Sequence, residues 1–313
     1  MDRLLGYLTT ASPGSVASLD DLSARVRALA SGFDRTFDRA VAGGFDADRV
    51  AFAFGAGYEA AWARLVPAAD PSRLRVFCVT EEKGGHPKAI ATRLTETSPG
   101  AFVLDGKKRW TTFGPLADEL LVVATQGTDG RGRNRLRVAR VDARREGVEV
   151  RPMPPTPFAP ELPHAEVSFH SVALVDRELL EGDGYEQYVK PFRTVEDVHV
   201  LGAIVGHVAG LTRSWTGPEA QSFFEDALGA ISALGALAPL DPLAPATHLA
   251  LAGALRAVRN LLDRVEETWA ACGSDSDAAR SALLAWNRDR PLTNVAEGAR
   301  ELRRVAAWRA ITG

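Results

Sequence analysis

The sequence FCVTEEKGGHP at residues 77–87, followed by LTETSPGAFVLDGKKRWTTFGPLADELLVVA at residues 94–124, decides the fold of this chain. It combines an apolar run ending in Thr80-Glu81, a glycine turn, a hairpin and a second threonine-bearing run after Trp110. The Pro99-Gly100 turn separates short runs rich in valine, threonine and aromatic residues, which is typical of antiparallel strands. We therefore expect a β-barrel or sandwich in the middle of the chain.

Helical periodicity lies on both sides of this strand-rich region. Before it, Phe33, Phe37 and Val41 recur every fourth residue and form one apolar face. After Gly184 the helical pattern returns and continues to the end of the sequence. The predicted helices there are Phe192–Leu211, Glu219–Leu237, Ala246–Ala271 and Ala278–Ile311, the last with a break at Pro291.

This order of elements predicts an α+β fold with three lobes. We expect a short N-terminal helical domain at residues 1–70, a β-barrel domain at 71–183 and a C-terminal helical bundle at 184–313. Gly55-Ala56-Gly57 lies inside a helical stripe and is not a dinucleotide-binding fingerprint, because no strand precedes it. Its small residues instead predict the close approach of two helices.

Composition excludes several classes of function. A formal net charge of −3 gives no basic face for nucleic acid, and two cysteines are too few for a disulfide framework. The six histidines show no metal-ligand spacing. The N-terminal MDRLLGYLTTASPG has no leader pattern, and arginines interrupt the most apolar helical stretch. We expect a cytoplasmic protein that binds neither nucleic acid, membrane nor metal.

The motifs around Thr80 and Trp110 resemble the β-domain of the acyl-CoA dehydrogenase family. Thr80-Glu81 and Gly85 match a family strand that runs into a Pro-Gly-Ala-Gly-Ser-Asp turn, with His86-Pro87 in place of Ser-Asp. Trp110 to Thr112 is similar to the family's Trp-Ile-Thr-Asn, with Phe113 in place of the asparagine. The resemblance implies helices, barrel and four-helix bundle, with FAD held between barrel and bundle.

The resemblance also implies roles for individual side chains. Thr80 is expected to hydrogen-bond the pyrimidine edge of the flavin, since its hydroxyl can both donate and accept. Trp110 is expected to pack beside the flavin ring and Thr112 to lie near flavin N5. His86 is expected to face the cofactor phosphates. The alternatives are that Thr80 is an ordinary residue at the end of a strand and His86 an ordinary turn residue.

The catalytic base is expected on the first helix of the bundle. FRTVEDVHVLGAIVGHVAG at residues 192–210 resembles that helix, where many members carry Glu-Arg and this chain has Glu196-Asp197. Most members place the base near the C-terminus in a Tyr-Glu-Gly-Thr context that this chain lacks, and a minority place it on this helix. Glu196 is therefore predicted as the base. The alternatives are a solvated or ion-paired Glu196, with Glu297 or Glu301 as weaker candidates.

The function implied is that of an FAD-dependent oxidoreductase acting on the CH-CH bond of an acyl-CoA or carrier-bound thioester, as in fatty acid metabolism. A homodimer or tetramer is implied as well. Two motifs through which a neighbouring subunit normally binds FAD, Arg-x-x-Phe-Gly and Gln-x-x-Gly-Gly, have no counterpart after Leu211. Two alternatives stay open: a catalytically degenerate homologue that acts as a binding or partner subunit, and a flavin monooxygenase of the same fold.

Overall fold

The structure, a computed structural model, describes residues 1–66, 73–213, 215–272 and 277–313. Helices precede and follow a block of strands, so the predicted fold class is confirmed. The predicted domain boundary at residues 70 and 71 lies outside the described residues.

The helices are α1 Asp2–Thr10, α2 Leu19–Gly32, α3 Thr36–Phe45, α4 Val50–Leu65, α5 Lys190–Thr212, α6 Pro218–Leu237, α7 Pro245–Asp263, α8 Val265–Cys272, α9 Asp277–Asp289 and α10 Glu297–Thr312. The strands are β1 Arg75–Cys78, β2 Arg93–Ser98, β3 Ala101–Thr112, β4 Glu119–Thr128, β5 Asn134–Asp142, β6 Val148–Pro152 and β7 His164–Val175.

The chain forms two compact units. The helical unit contains α1 to α4, the short segment Pro157–Glu161 and the chain from Phe192 onward. The β unit contains all seven of the strands named above. Among the described residues, no helix is both long enough and apolar enough to cross a membrane.

Helices α3 and α4 of the helical unit pack directly against α5. A Cβ atom at Gly44 would lie 1.9 Å from the carbonyl oxygen of Ala203, and one at Gly57 would lie 2.6 Å from the Cα of Val200. The glycine-containing stretch of α4 thus serves as a close helix contact, as its sequence predicts. Phe37 and Phe45 of α3 are fully buried in the same core. This packing holds α5 at the centre of the helical unit.

One helix predicted from the sequence is divided in the structure. The predicted helix Ala246–Ala271 becomes α7 and α8, because the N–H of Arg264 bonds the carbonyl of Leu261 and tightens the turn there. No glycine or proline marks this position, so the periodicity alone did not reveal the break.

The β unit is a seven-stranded sheet with the order β1-β4-β2-β3-β7-β6, and β5 pairs with β4. Most neighbours are antiparallel, whereas β4 pairs in parallel with β1 and, at a single position, with β2. Strand β4 therefore changes partners along its length, from β1 at Glu119–Val122 to β2 at Thr125. This change of partner gives the sheet its curl.

Candidate functional site

A bulge in β3 displays Trp110 on the surface of the β unit. Lys108 pairs with Val167 and Thr111 with Ala165, so two residues of β3 lie opposite one residue of β7. Within the bulge Trp110 adopts φ 56°, a conformation that β-branched and bulky residues rarely take, and its side chain is 49% exposed. Strained backbone of this kind persists where the surrounding structure imposes it, and it is concentrated at functional sites.

Two threonines, Thr80 and Thr112, lie near this tryptophan along the backbone. The N–H of Arg109 donates to the carbonyl of Thr80 at 2.8 Å, which ties Thr80 to the residue that precedes Trp110. Thr112 is half-buried and lies on the side of β3 opposite the buried Thr111. Among the described residues, neither Thr80 nor Thr112 has a hydrogen-bond partner for its hydroxyl.

A buried ion pair fixes the loop that carries Thr80. Lys108 is fully buried, and its Nζ donates to the Glu81 carboxylate at 2.7 Å. The same carboxylate accepts hydrogen bonds from the N–H groups of Ala91 and Thr92 and from the Thr92 hydroxyl. Burial opposes ionisation of Glu81, but Lys108 and these donors hold its pKa below the ordinary value. Both ends of the loop that follows Thr80 are thereby anchored to β3.

Sequence reasoning did not assign this role to Lys108, although a signal for it exists. Phe102, Leu104 and Lys108 all occupy positions of β3 that alternate inward, and the first two are buried core residues. A lysine at an inward strand position requires a buried acid, since an isolated buried charge is too costly. Glu81 is the glutamate that supplies it.

His86 lies in the glycine turn after Thr80 and is exposed. Its Nδ1 accepts a hydrogen bond of 3.2 Å from the N–H of Lys88 and caps a short 3₁₀ turn, Pro87–Ala89. This contact requires Nδ1 to be unprotonated and leaves Nε2 directed away from the cap. The observed contact is that of a turn residue.

The residues around the bulge fit a flavin ring. An isoalloxazine presents a broad aromatic face and an edge of hydrogen-bond donors and acceptors. Trp110 supplies an exposed aromatic surface, and the unpaired hydroxyls of Thr80 and Thr112 can donate or accept at such an edge. The β unit therefore brings together three of the four residues predicted for cofactor binding.

Glu196 lies in the helical unit, near the beginning of α5. It is half-buried, and no hydrogen bond reaches its carboxylate from the part of the chain that the structure describes. Burial and the neighbouring negative charge of Asp197 raise the pKa of Glu196 to about 8, against the opposing effect of nearby arginines. A carboxylate with such a pKa is a strong base in its ionised form.

Asp197, the next residue of α5, organises the charges around Glu196. It is 5% exposed and accepts from Nε of Arg300 at 2.9 Å and from Nη2 of Arg303, both on α10. Because two guanidinium groups share this one carboxylate, α10 is held against the start of α5. The arrangement also places positive charge close enough to Glu196 to limit the rise of its pKa.

The two other candidate bases have a different environment. Glu297 and Glu301 begin α10, and both are exposed. Glu297 forms an ion pair with Arg259 at 2.6 Å, and Glu301 forms one with Arg304 at 2.6 Å. The hydrogen bond from Arg304 lowers the pKa of Glu301, which weakens it as a base. Of the three glutamates, only Glu196 is half-buried and forms no ion pair with another described residue.

Comparison with known proteins agrees with this fold. The profile of the acyl-CoA dehydrogenase middle domain matches residues 76–172, which include most of the β unit. Benzylmalonyl-CoA dehydrogenase of Aromatoleum aromaticum is 30% identical over 148 residues, which are 46% of this chain and 37% of that enzyme. The match thus spans little more than a third of the length of this relative.

Solved structures with the same fold cover most of the chain. Butyryl-CoA dehydrogenase from Megasphaera elsdenii superposes with a TM-score of 0.66 at 13% identity, covering 88% of this chain and 81% of that one. FMN-bound TdsC from Paenibacillus sp. A11-2 superposes with a TM-score of 0.71 at 16% identity, covering 100% and 96%. These likenesses show that the chain has the acyl-CoA dehydrogenase fold, and its residues 76–172 match the middle domain of that family.

Proposed function

We propose that this protein is a flavin-dependent oxidoreductase that desaturates an acyl thioester, with Glu196 as the base. The observation that carries the proposal is the pKa of Glu196, about 8, on the first helix of the bundle in a chain of this fold. The substrate class is supported by two relatives whose names specify acyl-CoA dehydrogenases.

The reaction removes a proton from the α-carbon of the acyl group and a hydride from the β-carbon. When bound, the flavin supplies the acceptor for the hydride. The Glu196 carboxylate takes the proton and becomes neutral, and its burial favours the neutral form. The desolvation that raises the pKa of Glu196 therefore also favours the proton transfer.

The flavin is proposed to bind against the bulge of β3. Trp110 would pack on the ring, the hydroxyls of Thr80 and Thr112 would bond its polar edge, and Nε2 of His86 would be directed to the phosphates. FAD is the proposed cofactor on the family resemblance. FMN is the second candidate, because TdsC holds FMN and superposes over the whole of this chain.

The role of Glu196 is tested by anaerobic reduction of the bound flavin. Addition of an acyl-CoA to the purified, flavin-loaded protein is expected to bleach the flavin absorbance. Glu196→Gln should keep the oxidised spectrum and slow the bleaching by at least about a hundredfold, the usual contribution of a general base. Glu301→Gln, which changes an exposed glutamate of α10, serves as the matched control. Equal rates in all three proteins would disprove the role of Glu196.

The flavin site is tested by a pair of tryptophan substitutions. Trp110 is 49% exposed and Trp308 is 48% exposed, so each can be truncated with little loss of buried surface. We expect Trp110→Ala to weaken flavin binding by about tenfold or more, since stacking of a heterocyclic base on an aromatic side chain is worth about 1–3 kcal/mol. Trp308→Ala should leave the affinity unchanged. Titration with FAD and FMN, followed by absorbance, also identifies the preferred flavin.

The two alternative functions give different results in the same experiments. A binding or partner subunit would take up neither FAD nor FMN. A monooxygenase would bind flavin but would show no bleaching with acyl-CoA, and it would consume oxygen only when supplied with reduced flavin or a reductase. Each outcome excludes desaturation.

A homodimer is proposed, with α10 at the contact. Leu302 of this helix is 73% exposed and Val295, seven residues earlier, is 68% exposed, and we propose that a second copy covers these apolar side chains. The family resemblance supports the bundle as the interface. Analytical sedimentation of the wild type and of Leu302→Asp measures the oligomeric state. We expect a dimer for the wild type and a monomer for the variant.

A further inference from the structure

A basic cleft lies between α7 and α10 in the helical unit. Its volume is about 450 Å³. Five arginines line it, Arg256 and Arg259 from α7 and Arg300, Arg303 and Arg304 from α10. On a chain whose formal net charge is −3, this is a local concentration of positive charge.

Two of these arginines have exposed partners. Arg259 pairs with Glu297 at 2.6 Å, and Arg304 pairs with Glu301 at 2.6 Å. All four side chains are more than a third exposed, from 38% for Arg304 to 55% for Glu297. Ion pairs in such surroundings are weak, about 0–1 kcal/mol each, so both guanidinium groups can be drawn to another anion.

The other three arginines leave positive charge uncompensated. Arg300 and Arg303 share the single carboxylate of Asp197. Arg256 is exposed and has no ion-pair partner among the described residues. Burial, together with the nearby cations Arg193 and Arg300, holds the pKa of Arg303 below its ordinary range despite the attraction of Asp197. The five arginines and the three carboxylates that pair with them leave an excess of two positive charges.

A second chamber adjoins the cleft and shares Leu255, Arg259, Glu297 and Arg300 with it. Its volume is about 290 Å³. Its wall is mixed. Apolar side chains come from α5, α7 and α9, including Leu201, Leu262 and Trp286, and polar ones include Asp263, Arg290, Thr293 and Asn294. Trp286 is 1% exposed, and its indole N–H has no acceptor in the described part of the chain. An uncharged organic group with hydrogen-bonding atoms fits this mixed wall better than a small ion does.

We propose that the cleft binds a small molecule that carries a phosphate or diphosphate group and places its uncharged part in the adjoining chamber. Guanidinium groups match phosphate oxygens through paired N–H donors, and every cation of the cleft is an arginine. The adjoining chamber, which can hold the uncharged part of the ligand, shares Arg259 and Arg300 with the cleft. The proposal goes beyond the redox function and does not depend on bound flavin or on Glu196.

The test is isothermal titration of the full-length protein with three probes at physiological ionic strength, where attraction between distant exposed charges is screened beyond about 8 Å. Pyrophosphate is expected to bind saturably, and adenosine, which has no phosphate, is not. ADP is expected to bind at least tenfold more tightly than pyrophosphate, because it also fills the chamber. Equal affinities for ADP and pyrophosphate would overturn the role of the chamber.

Arginine variants locate the binding. Arg256 and Arg304 do not contact Asp197, so Arg256→Gln combined with Arg304→Gln leaves the anchoring of α10 intact. We expect this double variant to bind ADP about tenfold more weakly or worse, since hydrogen bonds between charged groups are involved. Arg264→Gln is the control, because Arg264 lies beyond α7 and pairs with Asp226 outside the cleft. Absence of saturable pyrophosphate binding, or equal loss in variant and control, would refute the proposal.

Discussion

Glu196→Gln should change how the stability of the protein depends on pH. The pKa of Glu196 is about 8 in the folded chain, well above the ordinary value of a glutamate. As the pH rises between these two values, the unfolded chain ionises Glu196 and the folded chain does not. The folded state then holds more protons, so its stability falls by at most about 1.4 kcal/mol per pH unit. Below this pH range the contribution of Glu196 to the free energy of unfolding is fully present, and above pH 8 that contribution has been lost completely.

The expected magnitude follows from these values and from the exposure of the side chain. Across the two units from about pH 5.5 to about pH 7.5, full linkage gives about 2.7 kcal/mol. Glu196 is only half-buried, so solvent screening reduces the expected change to about 1–2.5 kcal/mol. Because glutamine does not titrate, the variant should gain this amount relative to the wild type.

The assay is urea unfolding of both proteins at the two pH values. All other titrating groups are common to the pair, so the difference between them isolates Glu196. Glu301→Gln is the control: the pKa of Glu301 is lowered, so its contribution is already complete above the ordinary value of a glutamate. The difference in unfolding free energy between the wild type and this control should therefore be the same at both pH values. If Glu196→Gln behaves like the control, Glu196 does not have a raised pKa and the argument for it as the base fails.

Two further substitutions test the groups around Thr80 in the β unit and around Glu196 in the helical unit. Lys108→Met should cost about 3–5 kcal/mol of unfolding free energy, because it leaves the buried carboxylate of Glu81 without its cation. Lys107→Met, which breaks the pair between the exposed Lys107 of β3 and Glu166 of β7, should cost less than about 1 kcal/mol in the same urea titration. Asp197→Asn should lower the pKa of Glu196, since it removes a negative charge and releases guanidinium groups. In the wild type, the rate of flavin reduction should increase with pH, with a midpoint at about pH 8. In Asp197→Asn this midpoint should lie at lower pH. A midpoint at higher pH would contradict this account.

The order of helices and strands could be predicted because local periodicity determines it. Phe37 and Val41 share the buried face of α3, as a repeat of four residues requires, whereas Phe33 precedes this helix in extended backbone and is buried in the same core. The break at Arg264 could not be predicted, because a tightened hydrogen bond, and no proline or glycine, ends α7. The pairing of β4 with β1 and β2 in parallel also has no local signal, since it joins segments that are distant in sequence.

The site could be predicted only as far as its motifs extend. The sequence resemblance selected Trp110, but its exposure results from the register of β3 against β7, where two residues face one. That register is set by strands more than fifty residues apart, so no local pattern encodes it. The buried pair of Lys108 with Glu81 did have a signal, because strand alternation places the lysine inward.

The position after Glu196 explains how this chain differs from the pattern it resembles. Many family members carry Glu-Arg here, which places a cation directly beside the glutamate, whereas this chain has Asp197. A second carboxylate at this position raises the pKa of Glu196, and without compensation the pair would repel. Arg300 and Arg303 provide the compensation from α10, which lies 103 and 106 residues further along the chain. Positive charge near Glu196 thus comes from Arg193 on the same helix and from Arg300 and Arg303 on a distant one, so the strength of this proposed base depends on the docking of α10.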